Sequence, residues 1–273
     1  MAEAASVAVP AADRAWRRFT PAQRLTRFLV YLAIVAAIVA SARTVEVIPE
    51  FLYDAPEQVV DLFTRMWPID WPHYRESVHD ALMETIHIAS LGTLLSLVLA
   101  LPVGVLAAHN LVPFTPVNLF AKLILVSSRS VNSLVWALLF VGIFGPGALA
   151  GTLAIAFRSI GFVGKLFGEA LEEAQPGPIE ALTAAGAPWM SRMTFGYWPQ
   201  VKPAFWSIAL FRWDINVRES AVLGLVGAGG IGMALDSALN LFQWDRVALI
   251  LVAIVAVVVV AEVVVTQVRK RVI

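Results

Sequence analysis

The feature that most constrains this chain is its series of long, predominantly apolar runs. They fall at residues 28–42, 81–108, 119–144, 148–168, 204–226 and 247–268. About 20 apolar residues in a helix cross the roughly 30 Å hydrocarbon core of a bilayer. Within lipid, every backbone N–H and C=O needs a partner inside the segment, which leaves the α-helix as the natural spanning element for such runs. Hydrophobic residues make up 59% of the 273 positions and the mean hydropathy is +0.76, well beyond an ordinary soluble domain. The expected fold class is all-α: a polytopic membrane protein with six transmembrane helices.

Charge at the two ends orients the spans. Residues 1–27 carry Arg14, Arg17, Arg18, Arg24 and Arg27, and the chain closes on Arg269, Lys270 and Arg271. The positive-inside rule puts both ends in the cytoplasm. The expected layout is a basic segment at 1–27, a first transmembrane helix at 28–43, an external segment at 44–80, a five-helix core at 81–268 with a cytoplasmic loop at 169–203, and a tail at 269–273. Ala40, Ser41 and Ala42 look like a signal-peptidase site, so a cleaved leader competes with a retained first helix, although 27 residues is long for a signal's charged region. In the external segment, Val59, Leu62, Phe63, Met66 and Trp67 share one helical face and predict an interfacial amphipathic helix.

Several functions are excluded directly. The formal charge is zero, so no nucleic-acid partner is indicated. There is no cysteine, the four histidines are scattered, and no phosphate-binding loop of the Gly-x4-Gly-Lys-Ser/Thr type occurs. No catalytic residue, metal ligand or cofactor is therefore assigned to this chain. Gly227, Gly229, Gly230 and Gly232 do match Gly-x-Gly-x-x-Gly, but a dinucleotide fingerprint requires a βαβ unit, and here a membrane helix precedes it. Two readings of these glycines stand. They expose N–H groups to an anion, or they allow tight backbone packing.

The run at 204–226 contains Arg212, Asp214, Asn216, Arg218 and Glu219. Each ionisable group costs about 2.5–3.5 kcal/mol on insertion scales, so such groups face a bundle interior or water. Asp214 and Arg218 are four apart and pair on one helix face; Arg212 and Asn216 share a neighbouring face. A structural salt bridge and a solute path explain the cluster equally well. Arg129 and Arg158 lie in two other spans. Arginine's planar fork suits oxyanions. Arg218, nearest the glycine turn in sequence and with Asn216 beside it, is the foremost candidate contact.

The loop at 169–203 is the longest soluble-looking stretch of the second half. Pro178 is expected near a helix start, Glu180 in the first turn, and Gly186 in a left-handed conformation that ends the helix. Pro188 then restarts a short helix through Trp189 and Met190. Glu180-Ala181, Gly186 and, further on, Pro199 resemble the "EAA loop" of ABC importer permeases. Leu182 replaces the second alanine, and Gly196 and Trp198 stand where apolar residues are usual. A second Glu-Ala-Leu at Glu169 lacks the glycine, because Gln175 occupies that place. The wider text, GPIEAL, GAPWM, PQVKPAFW, INVR and LGLVGAGGIG, resembles phosphonate-type permeases from about residue 82 onward. One departure inside that text is Glu219, where the family usually has a small polar residue.

The resemblance implies a type I ABC importer fold in a bacterial inner membrane. It implies a permease homodimer, two separate ATPase subunits that hold ATP and Mg, and a periplasmic or lipid-anchored substrate-binding protein. Glu180, Ala181, Gly186, Ala187, Trp189 and Pro199 would then couple to the ATPase, and residues 227–232 would form an external re-entrant turn. The implied cargo is a phosphonate, phosphite, hypophosphite or phosphate. Two alternatives remain: an ABC permease for another small solute such as methionine, and an ion-coupled secondary transporter using Asp214, Glu219 or Glu262.

Overall fold

In a computed structural model of the chain, residues 19–45 and 49–272 are described; Arg14, Arg17 and Arg18 of the basic leader lie outside them. Every regular element among the described residues is a helix. The chain divides into two units, Met1–Val60 and Asp61–Ile273.

In the first unit, α1 (Pro21–Thr44) is 24 residues long, or about 36 Å at 1.5 Å per residue. It begins on a capping box: Thr20 Oγ1 accepts from the Gln23 amide and Gln23 Oε1 accepts from the Thr20 amide. The helix therefore starts seven residues before the expected position and takes in Arg24 and Arg27. None of its residues is buried within its own unit. The amphipathic helix α2 (Pro49–Arg65) crosses the boundary between the units. Val59, Leu62 and Phe63 lie on it as expected, but Met66 and Trp67 fall just past its end.

The second unit is a helical bundle. A π-helical turn (Tyr74–Val78) leads into α3 (His79–Ala107), which runs unbroken through Pro102. There follow α4 (Thr115–Ser130), α5 (Ser133–Phe144), α6 (Ala148–Glu172), α7 (Pro176–Ala184) and α8 (Trp189–Ser191). A second π-helical turn (Arg192–Tyr197) joins α8 to α9 (Trp198–Leu223), and α10 (Ile231–Asn240) and α11 (Trp244–Val272) complete the chain. Four helical stretches are long and apolar enough to cross a membrane, and two bent pairs, α4 with α5 and α8–α9 with α10, raise the count to six.

Small residues let the central helices touch. Gly92, Ser96, Ala100 and Gly104 form an i, i+4 stripe on α3, facing Ile155, Gly164 and Phe167 of α6. A methyl group on Gly104 would stand 2.9 Å from the Gly164 carbonyl oxygen. Close backbone approach of this kind drives helix association where no water is available to be expelled.

The expected third span, 119–144, differs in one respect. It is two helices meeting at 91°. At 16 and 12 residues, about 24 Å and 18 Å, neither spans a bilayer alone. The break falls in the serine-rich stretch. Asn132 caps α5 by accepting from the Leu134 amide at 3.1 Å, Trp136 Nε1 donates to the Ser128 carbonyl at 3.4 Å, and Ser128 Oγ donates to the Phe157 carbonyl while accepting from the Gly161 amide at 3.0 Å. At the Leu134 amide and the Ser128 carbonyl, side chains thus take over hydrogen bonds that a continuous helix would have made itself, while the Ser128 hydroxyl ties the end of α4 to α6.

Candidate functional site

The polar residues of α9 meet partners on α3 and α6 inside the bundle. Asn216 is fully buried, and its amide nitrogen donates to Thr93 Oγ1 of α3 at 2.8 Å. Ser159 of α6 stands 3.2 Å from Asn216 Oδ1 and accepts from Arg212 Nε at 2.8 Å. Arg212 reaches on to Glu219 Oε2 at 3.4 Å, and Arg158 of α6 pairs with the other oxygen of the same carboxylate. A continuous hydrogen-bonded chain therefore runs from Thr93 through Asn216, Ser159 and Arg212 to Glu219 and Arg158. In an apolar surrounding such groups are costly unless paired, and the chain answers that cost by pairing.

Arg218 pairs with Asp214 one helical turn away, as the spacing predicted. Its side chain is 48% exposed, whereas that of Asp214 is 11% exposed. Three arginines, at 158, 212 and 218, thus share two carboxylates, Asp214 and Glu219. Asp214 Oδ1 and Arg158 Nε are buried with no hydrogen-bond partner among the described residues. Arg129 is not part of this group; it lines a separate cavity between α4 and α6. Sequence reasoning placed Glu219 in the polar cluster of 204–226, as a departure from the usual pattern and as an ion-coupling candidate, with no sign that it joins Arg158 and Arg212. That role needs a partner 61 positions away, which local spacing does not reveal.

The glycine turn sits at one end of this core. Residues 224–226 form a single 3-10 turn, and Gly227, Gly229 and Gly230 all have positive φ. A methyl group on Gly230 would stand 2.6 Å from Thr85 Oγ1, the atom that accepts the Ile231 amide at 2.7 Å and so anchors the start of α10 to α3. One on Gly232 would stand 2.5 Å from the Ala221 carbonyl oxygen. The Gly227 carbonyl accepts from the Gly147 amide at 2.9 Å. Close packing accounts for Gly229, Gly230 and Gly232, whereas at Gly227 the positive φ alone favours glycine.

At the other end, α6 leads into the 169–203 loop. Helix α7 starts two residues earlier than expected, with Pro176 at N1 after an extended Gln175, so Glu180 lies beyond the first turn. Pro178 is tolerated because the first amides of a helix have no intrahelical acceptor. The end of α7 is a Schellman motif: the Ala187 amide bonds to the Leu182 carbonyl and the Gly186 amide to the Thr183 carbonyl, both at 3.0 Å. Gly186 has φ +72, the left-handed conformation expected of it. Pro188 caps the short α8, which holds Trp189, and Pro199 lies in the first turn of α9.

Two of the loop's three departures from the familiar pattern, Gly196 and Trp198, have a packing reason. Gly196 is buried under α7, where a methyl group would stand 3.3 Å from Leu182 and 3.4 Å from Ile179. Trp198 packs on Phe205, with ring centroids 5.6 Å apart. Gln200, not singled out from sequence for this role, fastens the loop. Its Oε1 accepts the Gln175 amide at 2.8 Å and its Nε2 donates to the Gly196 carbonyl at 2.8 Å. The loop's surface remains open: Glu180, Ala181 and Gly186 are exposed, and Trp189, Met190 and Phe195 show 46%, 64% and 70% of their surface. Exposed aromatic and Met side chains around a short helix have the character of a protein-docking surface.

Comparison with known proteins agrees with this geometry. Residues 100–273 match a family described as the binding-protein-dependent transport system inner membrane component. A phosphite transport system permease protein of Stutzerimonas stutzeri is 40% identical over 68% of this chain and 67% of its own length. A phosphate-import permease protein of Mycolicibacterium smegmatis is 35% identical over 84% of this chain, which spans only 43% of that protein. Among solved structures, an inward-facing methionine ABC transporter shares the fold with a TM-score of 0.65 at 22% identity, covering 75% of this chain and all of that one. The chain belongs to the family of binding-protein-dependent transport system inner membrane components.

Proposed function

We propose that this chain is the membrane subunit of an ATP-driven importer for a phosphorus oxyanion: a phosphonate, phosphite, hypophosphite or phosphate. The observation that carries the cargo is the polar core. Three arginines share two carboxylates, which leaves this cluster one positive charge in excess, with Arg218 the half-exposed member. Relatives named for phosphite and phosphate transport support the same reading. Arg218, with Asn216, Arg212, Asp214 and Arg158, is the proposed path, and its contact with the anion is weak and transient, because a tight site would slow release.

ATP hydrolysis then belongs to a separate ATPase that holds ATP and Mg. One chain offers six spans and one loop of the coupling type, so two copies of it, two ATPase subunits and a periplasmic or lipid-anchored binding protein make the simplest assembly. Closure of the ATPase pushes on Glu180, Ala181, Gly186, Ala187 and Trp189, with Pro199 fixing the start of α9, and α9 carries the movement to the polar core. Both termini and the 169–203 loop face the cytoplasm; 44–80 and the glycine turn face outward.

Calorimetric titration of the partner binding protein tests the cargo, since that protein filters what reaches the membrane subunit. Saturable binding of phosphite, phosphate or a phosphonate, with none of methionine, is expected. Binding of methionine and of no phosphorus compound would overturn the assignment.

A further inference from the structure

A cavity of about 220 Å³ opens between α4, α6 and the end of α3, away from the polar core. Lys122, Arg129 and Lys165 line it, together with Glu169 and Glu172. Lys165 is already paired with Glu169 at 3.3 Å, and Glu172 accepts the His109 amide at 2.7 Å. Lys122 and Arg129, both exposed, have no carboxylate within 4.0 Å among the described residues. At positions i and i+7 with Val126 between them, they stand on one face of α4. Three cations against two carboxylates leave the lining one positive charge in excess, and Lys122 and Arg129, which no carboxylate pairs with, present it beside an apolar wall to an anion.

A second feature says which kind of anion. Lys122 and Val126 also line an adjoining groove whose other walls are apolar: Pro116, Leu119, Phe120 and Leu123. Leu119, Phe120 and Leu123 are 67%, 64% and 60% exposed. The basic cavity and the apolar groove thus form one site with a charged end and a greasy end. A free oxyanion would leave the groove unused. The apolar face of a second copy of this chain would cover the groove but bury two unpaired cations, which costs more than the contact returns.

We propose that this site binds one anionic phospholipid, with the phosphodiester between Lys122 and Arg129 and an acyl chain along Leu119 and Leu123. The cavity lies at the end of α6 that leads into α7, so on the proposed topology it meets the inner leaflet, where basic pockets between helices collect anionic headgroups. The inference rests on membrane insertion and does not depend on which solute is carried.

Native mass spectrometry of the full chain in mild detergent, titrated with phosphatidylglycerol or with phosphatidylcholine of the same acyl chains, tests it. One phosphatidylglycerol per chain is expected, with no comparable retention of phosphatidylcholine. Lys122→Gln and Arg129→Gln should each weaken binding about fivefold and together about thirtyfold, while Lys122→Arg keeps it. Among the described residues neither has a hydrogen-bond or ion-pair partner to lose, so the variants remain folded. Equal retention of the two lipids, or full retention by the double variant, would refute the site. Displacement of the lipid by millimolar inorganic phosphate would refute it in favour of a free-anion site. Efficient cross-linking of Leu123→Cys between two copies in membranes would refute it in favour of a protein interface.

Discussion

Glu219 carries the charge balance of the bundle, because Arg158 and Arg212 both end on its carboxylate. Removing one partner of a fully buried pair costs roughly 3–5 kcal/mol, and Glu219, partly buried at 18% exposure, sets that as the upper bound here. Glu219→Gln, which strands two arginines, should therefore lower the thermal unfolding temperature of the detergent-solubilised chain markedly. An unchanged unfolding temperature would show that water, and not Glu219, compensates those arginines. Arg218 is the residue at which structure and transport separate. Arg218→Gln should reduce uptake, and if Arg218 touches the cargo, adding Asp214→Asn should not restore it. Recovery of uptake in the double variant would show that Arg218 serves only to neutralise Asp214.

Among the elements, α7 carries the coupling proposal. A methyl group on Gly186 would meet no atom within 4 Å, so a substitution there is opposed by the backbone conformation alone, at about 1–2 kcal/mol. Gly186→Val should leave membrane insertion intact while lowering substrate-stimulated ATP hydrolysis by the assembled transporter. Gly186→Asn, which tolerates positive φ, should retain more of it. Normal stimulated hydrolysis in Gly186→Val would remove α7 from the transmission path. The turn at Gly186 was legible in the sequence because it depends on local chemistry: a glycine after an apolar helical run, followed two residues later by proline. The 91° break between α4 and α5 was not, because hydropathy sees one apolar run from 119 to 144 and ignores hydrogen-bond direction. Its trace was the polar stretch at 127–133, and the decisive partners, Phe157 and Gly161, lie on α6. Gly196 was unreadable for a related reason, since its purpose is the approach of Ile179 and Leu182 from another helix.

For the whole molecule, span count and family could be read from the chain because each rests on length, hydropathy or a short motif. The Arg158–Glu219 link could not, because it joins helices far apart in sequence. Topology is testable directly, as the chain has no native cysteine. Val60→Cys should react with a membrane-impermeant maleimide added outside intact spheroplasts; labelling only after lysis would invert the orientation. The most direct measurement of all is solute uptake by proteoliposomes containing this chain, its ATPase and its binding protein. Uptake of phosphite, phosphate or a phosphonate that requires ATP, the ATPase and the binding protein together is expected. Uptake by the chain alone under an ion gradient, or ATP-dependent uptake of methionine with no phosphorus oxyanion carried, would contradict it.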